Sequence, residues 1–231
     1  MVSRMSALTT RIAGLAFVLS LATGATHADT ALDAYKVMGL QVKDVLSGTS
    51  LSSKVMPGEA KQFVTVTTYF TGNGNDNDAV NVRLDVFERN GGRLQNVYSR
   101  NFGDENGGYV GAGNLQIIDL DLDGVNEIIV SYDNYKDPLI QQTQGEVILW
   151  DDGEFTTGWS DLLAYDATRA AREIPVERRD RFVRELDIVK TLRTRGVTLF
   201  IRKHVIAVAG ERLPKPKTVE ETFPLRSRDT W

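Results

Sequence analysis

Residues 115–132 read Leu-Gln-Ile-Ile-Asp-Leu-Asp-Leu-Asp-Gly-Val-Asn-Glu-Ile-Ile-Val-Ser-Tyr, and the rest of the chain is read outward from them. Asp119, Asp121, Asp123 and Glu127 occupy positions 1, 3, 5 and 9 of a loop with Gly124 at position 6. Alternate residues of a tight loop can turn their carboxylates toward one point, a glycine permits the reversal, and the next carbonyl, that of Val125, can add an oxygen. Four carboxylates crowded together repel at about 4 kcal/mol per pair 4 Å apart in an effective dielectric of about 20. A divalent cation removes that cost, so the spacing predicts a calcium site made by Asp119, Asp121, Asp123, Val125 and Glu127.

An EF-hand shares the first half of this pattern but needs a bidentate glutamate at position 12 between two helices. Position 12 here is Val130, and both flanks are short apolar runs, Leu115–Ile118 and Ile128–Val130. Such runs form buried strands. The loop is therefore expected to join two strands.

With these residues in place, Asp119-Leu-Asp121-Leu-Asp123-Gly124-Val-Asn-Glu127-Ile-Ile-Val resembles the calcium loop of FG-GAP/VCBS-type repeats, the blades of integrin-like β-propellers. The resemblance extends from Asn114 to Gly158. It implies that the aspartates, the Val125 carbonyl and Glu127 hold Ca2+ between the first two strands of a four-stranded blade. A propeller needs several blades and only one intact loop is present, which implies a partial or degenerate propeller. Gly72-Asn73-Gly74-Asn75-Asp76-Asn77-Asp78 stands about one blade period upstream and lacks the regular acidic triad, so it reads as a solvated loop, with a decayed copy of the calcium loop as the alternative.

Upstream of Asp29 the chain has the form of a secretory signal peptide: Arg4 and Arg11, an apolar run from Ile12 to Ala22, and Thr26-His27-Ala28 as the cleavage site. The apolar run is too short to span a bilayer. No cysteine is present, so stability cannot come from disulfides. The address this implies is a bacterial periplasm or the exterior. The whole chain carries a net charge of −4. Residues 29–167 hold 9 basic and 22 acidic side chains, and residues 168–231 hold 16 and 9. The basic part either lies against the acidic part or meets an anionic glycan, a lipid or another envelope protein; export and acidity exclude nucleic acid.

In order along the chain, Thr30-Ala31-Leu32-Asp33 resembles a capping box and predicts an amphipathic helix over 31–46, ended by Ser47-Gly48-Thr49-Ser50. Residues 63–70, 80–86 and 94–99 alternate as strands with one buried face, the last two joined by Asn90-Gly91-Gly92. Residues 114–118, 127–132, 145–150 and 154–157 supply the four blade strands, with Asp151-Asp152-Gly153 as a hairpin turn. Helices are predicted over 161–172 and 176–195, with a strand over 186–192 as the competing reading of the second, strands over 197–201 and 204–209, and a surface tail over 211–231. The fold class is mainly β with flanking helices: an N-terminal helix and linker (29–60), a β domain (61–158), a basic helical and strand segment (159–210) and the tail.

Catalytic groups are scarce. His204 is the one histidine left after removal of His27, and no nucleophile motif accompanies it. A carboxylate pair for glycoside hydrolysis would have to come from Asp133, Asp137 and Glu146. Tyr132, Tyr135 and Trp150 could form a sugar-stacking platform. The composition favours a non-enzymatic secreted module that binds a partner, over a calcium-dependent polysaccharide hydrolase or a structural subunit of an envelope assembly.

Overall fold

The computed structural model describes residues 24–71, 79–105, 110–120, 123–137, 139–168, 174–187 and 196–227. After an N-terminal helix α1 (Gly24–Met38) come four strands, β1 (Val45–Ser53), β2 (Gln62–Thr71), β3 (Ala79–Asn90) and β4 (Arg93–Asn101). A single turn of helix, α2 (Phe102–Glu105), leads to seven more: β5 (Val110–Ile118), β6 (Glu127–Asn134), β7 (Gln141–Asp151), β8 (Glu154–Asp166), β9 (Arg181–Asp187), β10 (Gly196–Val208) and β11 (Glu211–Ser227). The first four form one sheet in the order β1-β2-β3-β4 and the rest form another in the order β11-β10-β9-β8-β7-β6-β5. Within each sheet every strand pairs antiparallel with its neighbour in sequence, so the fold is two meanders and is mainly β, as expected.

The turns follow from residue type. Gly91 and Gly92, Asp152 and Gly153, and Ala209 and Gly210 all have positive φ, as the tightest hairpins require of both central residues. The alternating valines of β2 and β3 (Val64, Val66, Val82, Leu84, Val86) point at Leu115, Ile128, Val130, Tyr132 and Ile148 of the second sheet. Ile129 and Val147, on the opposite face of the same strands, enter a second cluster with Trp159, Leu199 and Ile201. The seven-stranded sheet therefore bends so that β10 and β11 cover β6 to β8, and Trp159 meets Phe223 edge-on with ring centroids 6.2 Å apart. It does not close, because β5 and β11 do not pair.

Several expectations are corrected. Helix α1 stops at Met38 instead of continuing to residue 46: Gly39 takes φ 76°, its N–H and that of Leu40 close on the carbonyls of Lys36 and Tyr35, and the chain passes through a 3-10 turn at Val42–Asp44 into β1. Ser47-Gly48-Thr49-Ser50 lies inside β1, where Gly48 admits the Tyr35 hydroxyl. The helix expected over 161–172 is the second half of β8 as far as Asp166, and a domain boundary at residue 158 would fall within that strand. Of the helix expected over 176–195, the described part is a single 3-10 turn at Val176–Arg178 followed by β9, and residues 188–195 lie outside the described residues. Phe182 and Leu186 fit helical spacing, but as strand residues they share one face, stacking on Tyr165 and joining the second cluster, while Val183 is exposed. Of the expected tail, residues 211–227 form the long edge strand β11, and residues 228–231 lie outside the described residues. Pro214 and Pro216 fall in the gap between its two paired stretches, where no ladder N–H is needed. The four expected blade strands exist as β5 to β8, but their sheet continues through three further strands. Residues 72–78 lie outside the described residues.

Strand β5 approaches the first sheet closely at Gly113. A Cβ there would stand 2.6 Å from Val82 and 2.7 Å from Val66, and the Gly113 N–H donates to Thr68 Oγ1 at 3.1 Å. Gly113→Ala is expected to cost about 1–3 kcal/mol in urea unfolding through overpacking; an unchanged midpoint would contradict this inter-sheet contact.

Candidate metal centre and neighbouring polar clusters

The loop joins adjacent antiparallel strands, with Ile118 opposite Glu127 at its base, as the apolar flanks predict. Gly124 has φ 83° and open space where a Cβ would stand, so backbone conformation, not crowding, requires glycine there. Asp119 Oδ2 accepts the Gly124 N–H at 3.2 Å. Asp123 Oδ1 accepts the Val125 N–H at 2.7 Å. Glu127 is buried, and its Oε2 accepts the Leu120 N–H at 2.6 Å. Asn126 fastens the loop to the first sheet: its backbone and side-chain N–H groups both donate to the Lys54 carbonyl, at 2.7 and 2.9 Å. The Val125 side chain is buried beneath the turn.

One atom in this arrangement lacks a partner. Asp119 Oδ1 is buried with no hydrogen bond, a costly state for a carboxylate oxygen. Asp121, the middle member of the acidic triad, lies outside the described residues. Among the described residues, no group of three or more His, Asp or Glu side chains is drawn together as metal ligands.

The spare carboxylates do not converge. Glu146 is buried between the sheets, bound to Arg100 Nη1 at 2.6 Å and to the Tyr132 hydroxyl at 3.3 Å. Asp133 accepts from the hydroxyls of Tyr135 (3.1 Å) and Thr143 (3.0 Å), and Asp137 accepts the Leu139 N–H. Tyr132 is stacked on Phe102 in the core, so it cannot join Tyr135 and Trp150 in a stacking platform. His204, on β10, meets Thr218 of β11 at 3.1 Å and Glu185 of β9 at 3.4 Å.

The basic part of the chain is partly neutralised within its own sheet. Arg184, nearly buried, contacts Asp161 at 3.0 Å, Glu221 at 2.9 Å and the Leu162 carbonyl at 2.7 Å, and Arg181 contacts Asp166 at 3.3 Å.

A second polar cluster was not anticipated. On β2 and β3 both faces are buried, because α1 covers the side opposite the valines through Ala31, Ala34 and Met38 against Phe63, Phe87 and Leu94. Beneath it Asp85 Oδ1 accepts from Arg83 Nη2 (2.8 Å) and Asn96 Nδ2 (2.8 Å), while Oδ2 is buried without a hydrogen bond. The Arg83-x-Asp85 spacing on a strand puts both on one face; the covering helix is a non-local fact.

Comparison with protein-family models, curated proteins and solved structures returns no match.

Burial pushes the Asp85 carboxyl above its ordinary range, and the Arg83 charge with hydrogen bonds from Arg83, Ser99 and Asn96 offsets only part of that. An unfolded aspartate ionises near about pH 4. Above that pH the folded protein retains a proton that the unfolded chain has lost. Stability from this group is thus complete at low pH and is lost as pH rises through the folded pKa. Asp85→Asn is expected to flatten this slope in denaturation midpoints taken upward from about pH 4. An identical slope in the variant would contradict the assignment.

Proposed function

We propose that this chain is a non-enzymatic, exported binding module whose β5–β6 hairpin is an FG-GAP-like calcium loop. The observation that carries the reading is Asp119 Oδ1, a carboxylate oxygen shut off from water and without a donor, at the first ligand position of the acidic repeat. A hard cation is the partner such an atom lacks. Asp119, Asp121, Asp123, the Val125 carbonyl and Glu127 would hold Ca2+, and the ion would supply charge neutralisation and stiffening, not chemistry. In this reading β5 to β8 correspond to the blade, and the residues ahead of Asp29 are a signal peptide that delivers the chain to the periplasm or exterior. No helix among the described residues is long and apolar enough to cross a membrane.

A binding role is favoured over the alternative of a calcium-dependent polysaccharide hydrolase by the engagement of Glu146, Asp133 and Asp137 in separate interactions. The further alternative, a structural subunit of an envelope assembly, would use the exposed Arg212, Lys215 and Lys217 of the edge strand β11 toward an anionic glycan, a lipid or a protein.

Calcium is expected to raise the melting temperature of the purified protein. At an affinity of about 0.1 mM and roughly 1 mM free ion the gain is about 1.4 kcal/mol, or about 3–6 °C for a domain of this size. Asp119→Asn should remove the calcium-dependent part. Wild-type protein that melts alike in calcium and in chelator would overturn the reading.

A further inference from the structure

Helix α1 runs antiparallel to β3 across the face that holds Asp85. At one end Thr30 Oγ1 accepts from Arg89 Nη2 at 3.3 Å, in the middle Ala34 packs on Phe63 and Phe87, and at the other end the Met38 carbonyl accepts from Arg83 Nη1 at 3.5 Å. Asp85 stands between Arg83 and Phe87 on that face and is fully buried. In register with it lie Thr65 of β2 and Ser99 of β4, and Ser50 of β1 is opposite Thr65. The helix thus covers a row of hydroxyls with one carboxyl in it, and Oδ2 of that carboxyl has no hydrogen-bond partner.

The cover is lightly held. Of residues 30–38 only Ala34 is fully buried, while Leu32 and Val37 are exposed. Polar tethers supply much of the seat: the two arginine contacts, and the Tyr35 hydroxyl, which lies over Gly48 and bonds to Thr67. Arg83 is shared between the helix and the carboxyl. Its Nε and Nη2 donate to Asp85 Oδ1 while its Nη1 reaches the last carbonyl of α1, so the charge state of Asp85 and the seating of the helix meet in one side chain.

We propose that α1 is a pH-gated cover, which closes over Asp85 while that carboxyl carries a proton and lifts, with both sheets still folded, when the proton is lost. In the closed form a carboxylate would be kept from water with one oxygen unbonded, a costly state; lifting the helix hydrates it. The closed form therefore holds the proton more tightly than the open form, in accord with the effect of burial on Asp85 described above. In the open form the group ionises near about pH 4, so above that pH the opening constant grows by up to about tenfold per pH unit, and it levels off once the pKa of the closed form is passed. The charged neighbour on β3 is Arg83, which stays protonated. Tyr35 of α1 and Tyr69 of β2 are pushed by burial above the ordinary tyrosine range and keep their protons throughout. The other charges nearby are Asp104, exposed beside Tyr69, and the exposed Asp33 and Lys36 pair on α1. The gate goes beyond the binding role proposed above and rests neither on that role nor on the calcium loop.

The test is amide hydrogen exchange of the full-length protein over a series of pH values, corrected for the intrinsic exchange rate, with the amides of residues 31–40 compared with those of β6. The α1 amides are expected to exchange through an opening that leaves β6 protected, and the opening constant should rise with pH as stated. Asp85→Asn should make it independent of pH. Tyr35→Phe, which keeps Asp85 and removes one tether, should raise it about fivefold at every pH without changing the slope. Exchange of α1 only together with β6 would overturn the proposal, since the helix would then leave only on global unfolding. So would an unchanged slope in Asp85→Asn. Should that variant fail to fold, a carbon-13 titration of the Asp85 carboxyl in the wild-type protein decides the matter: a pKa well above the ordinary aspartate value is expected, and one at or below about 4 would overturn the gate.

Discussion

Residues 127–130 of β6 are buried on both faces, and the architecture follows from that. Ile128 and Val130 look toward the valines of the first sheet, Ile129 looks toward Trp159, Leu199 and Ile201, and neither side is open to water. Each such side chain contributes about 1.5–3 kcal/mol when fully buried, so the Ile-Ile-Val run requires a covering layer on each side. The four-stranded sheet supplies one cover. The bent-over end of the seven-stranded sheet supplies the other, which explains why that sheet must continue past β8 and curl.

Polar groups beside so buried a run need specific partners. Glu146 of β7 sits among apolar neighbours and is matched by Arg100 from the opposite sheet, with Tyr132 as a further donor. Removing one partner of such a buried pair leaves an uncompensated charge at a cost of about 3–5 kcal/mol, although the intact pair adds little over an apolar substitute. What the pair fixes is register. Slipping β7 by one residue would turn Glu146 into the second cluster and Val147 toward Arg100. Arg184 serves the bent end comparably, joining Asp161 of β8 and Glu221 of β11.

The strands with strict alternation and the hairpins at Asn90-Gly91-Gly92 and Asp151-Asp152-Gly153 were legible because their signals are local. Where the helices expected over 161–172 and 176–195 are described, residues 161–166 and 181–187 are strand, for a physical reason. Apolar residues four apart, such as Phe182 and Leu186, satisfy helical spacing and strand alternation equally, and only pairing with β8 and β10 decides between them. The buried polar face around Asp85 was invisible because its cover comes from α1, about fifty residues upstream. At the candidate metal loop, the strand–loop–strand frame and the conformation of Gly124 could be read from the sequence. The side-chain orientations could not, because Asp119, Asp123 and Glu127 each bond to a backbone N–H, a use of carboxylates that spacing alone does not separate from cation binding.

That dual use bears on what a cation would do. The loop is already braced by three carboxylate-to-backbone bonds and fastened through Asn126 to Lys54, at the end of β1. Its frame therefore does not depend wholly on an ion, and binding would act on a partly formed site, with little ordering entropy left to lose. Because the fastening crosses from the second sheet to the first, stiffening of the loop would be felt at the junction between the sheets as well as in its own hairpin. A loop tied to one strand pair could shield its own turn only. One tied across both layers braces the end of β1 as well, through the two bonds from Asn126 to the Lys54 carbonyl.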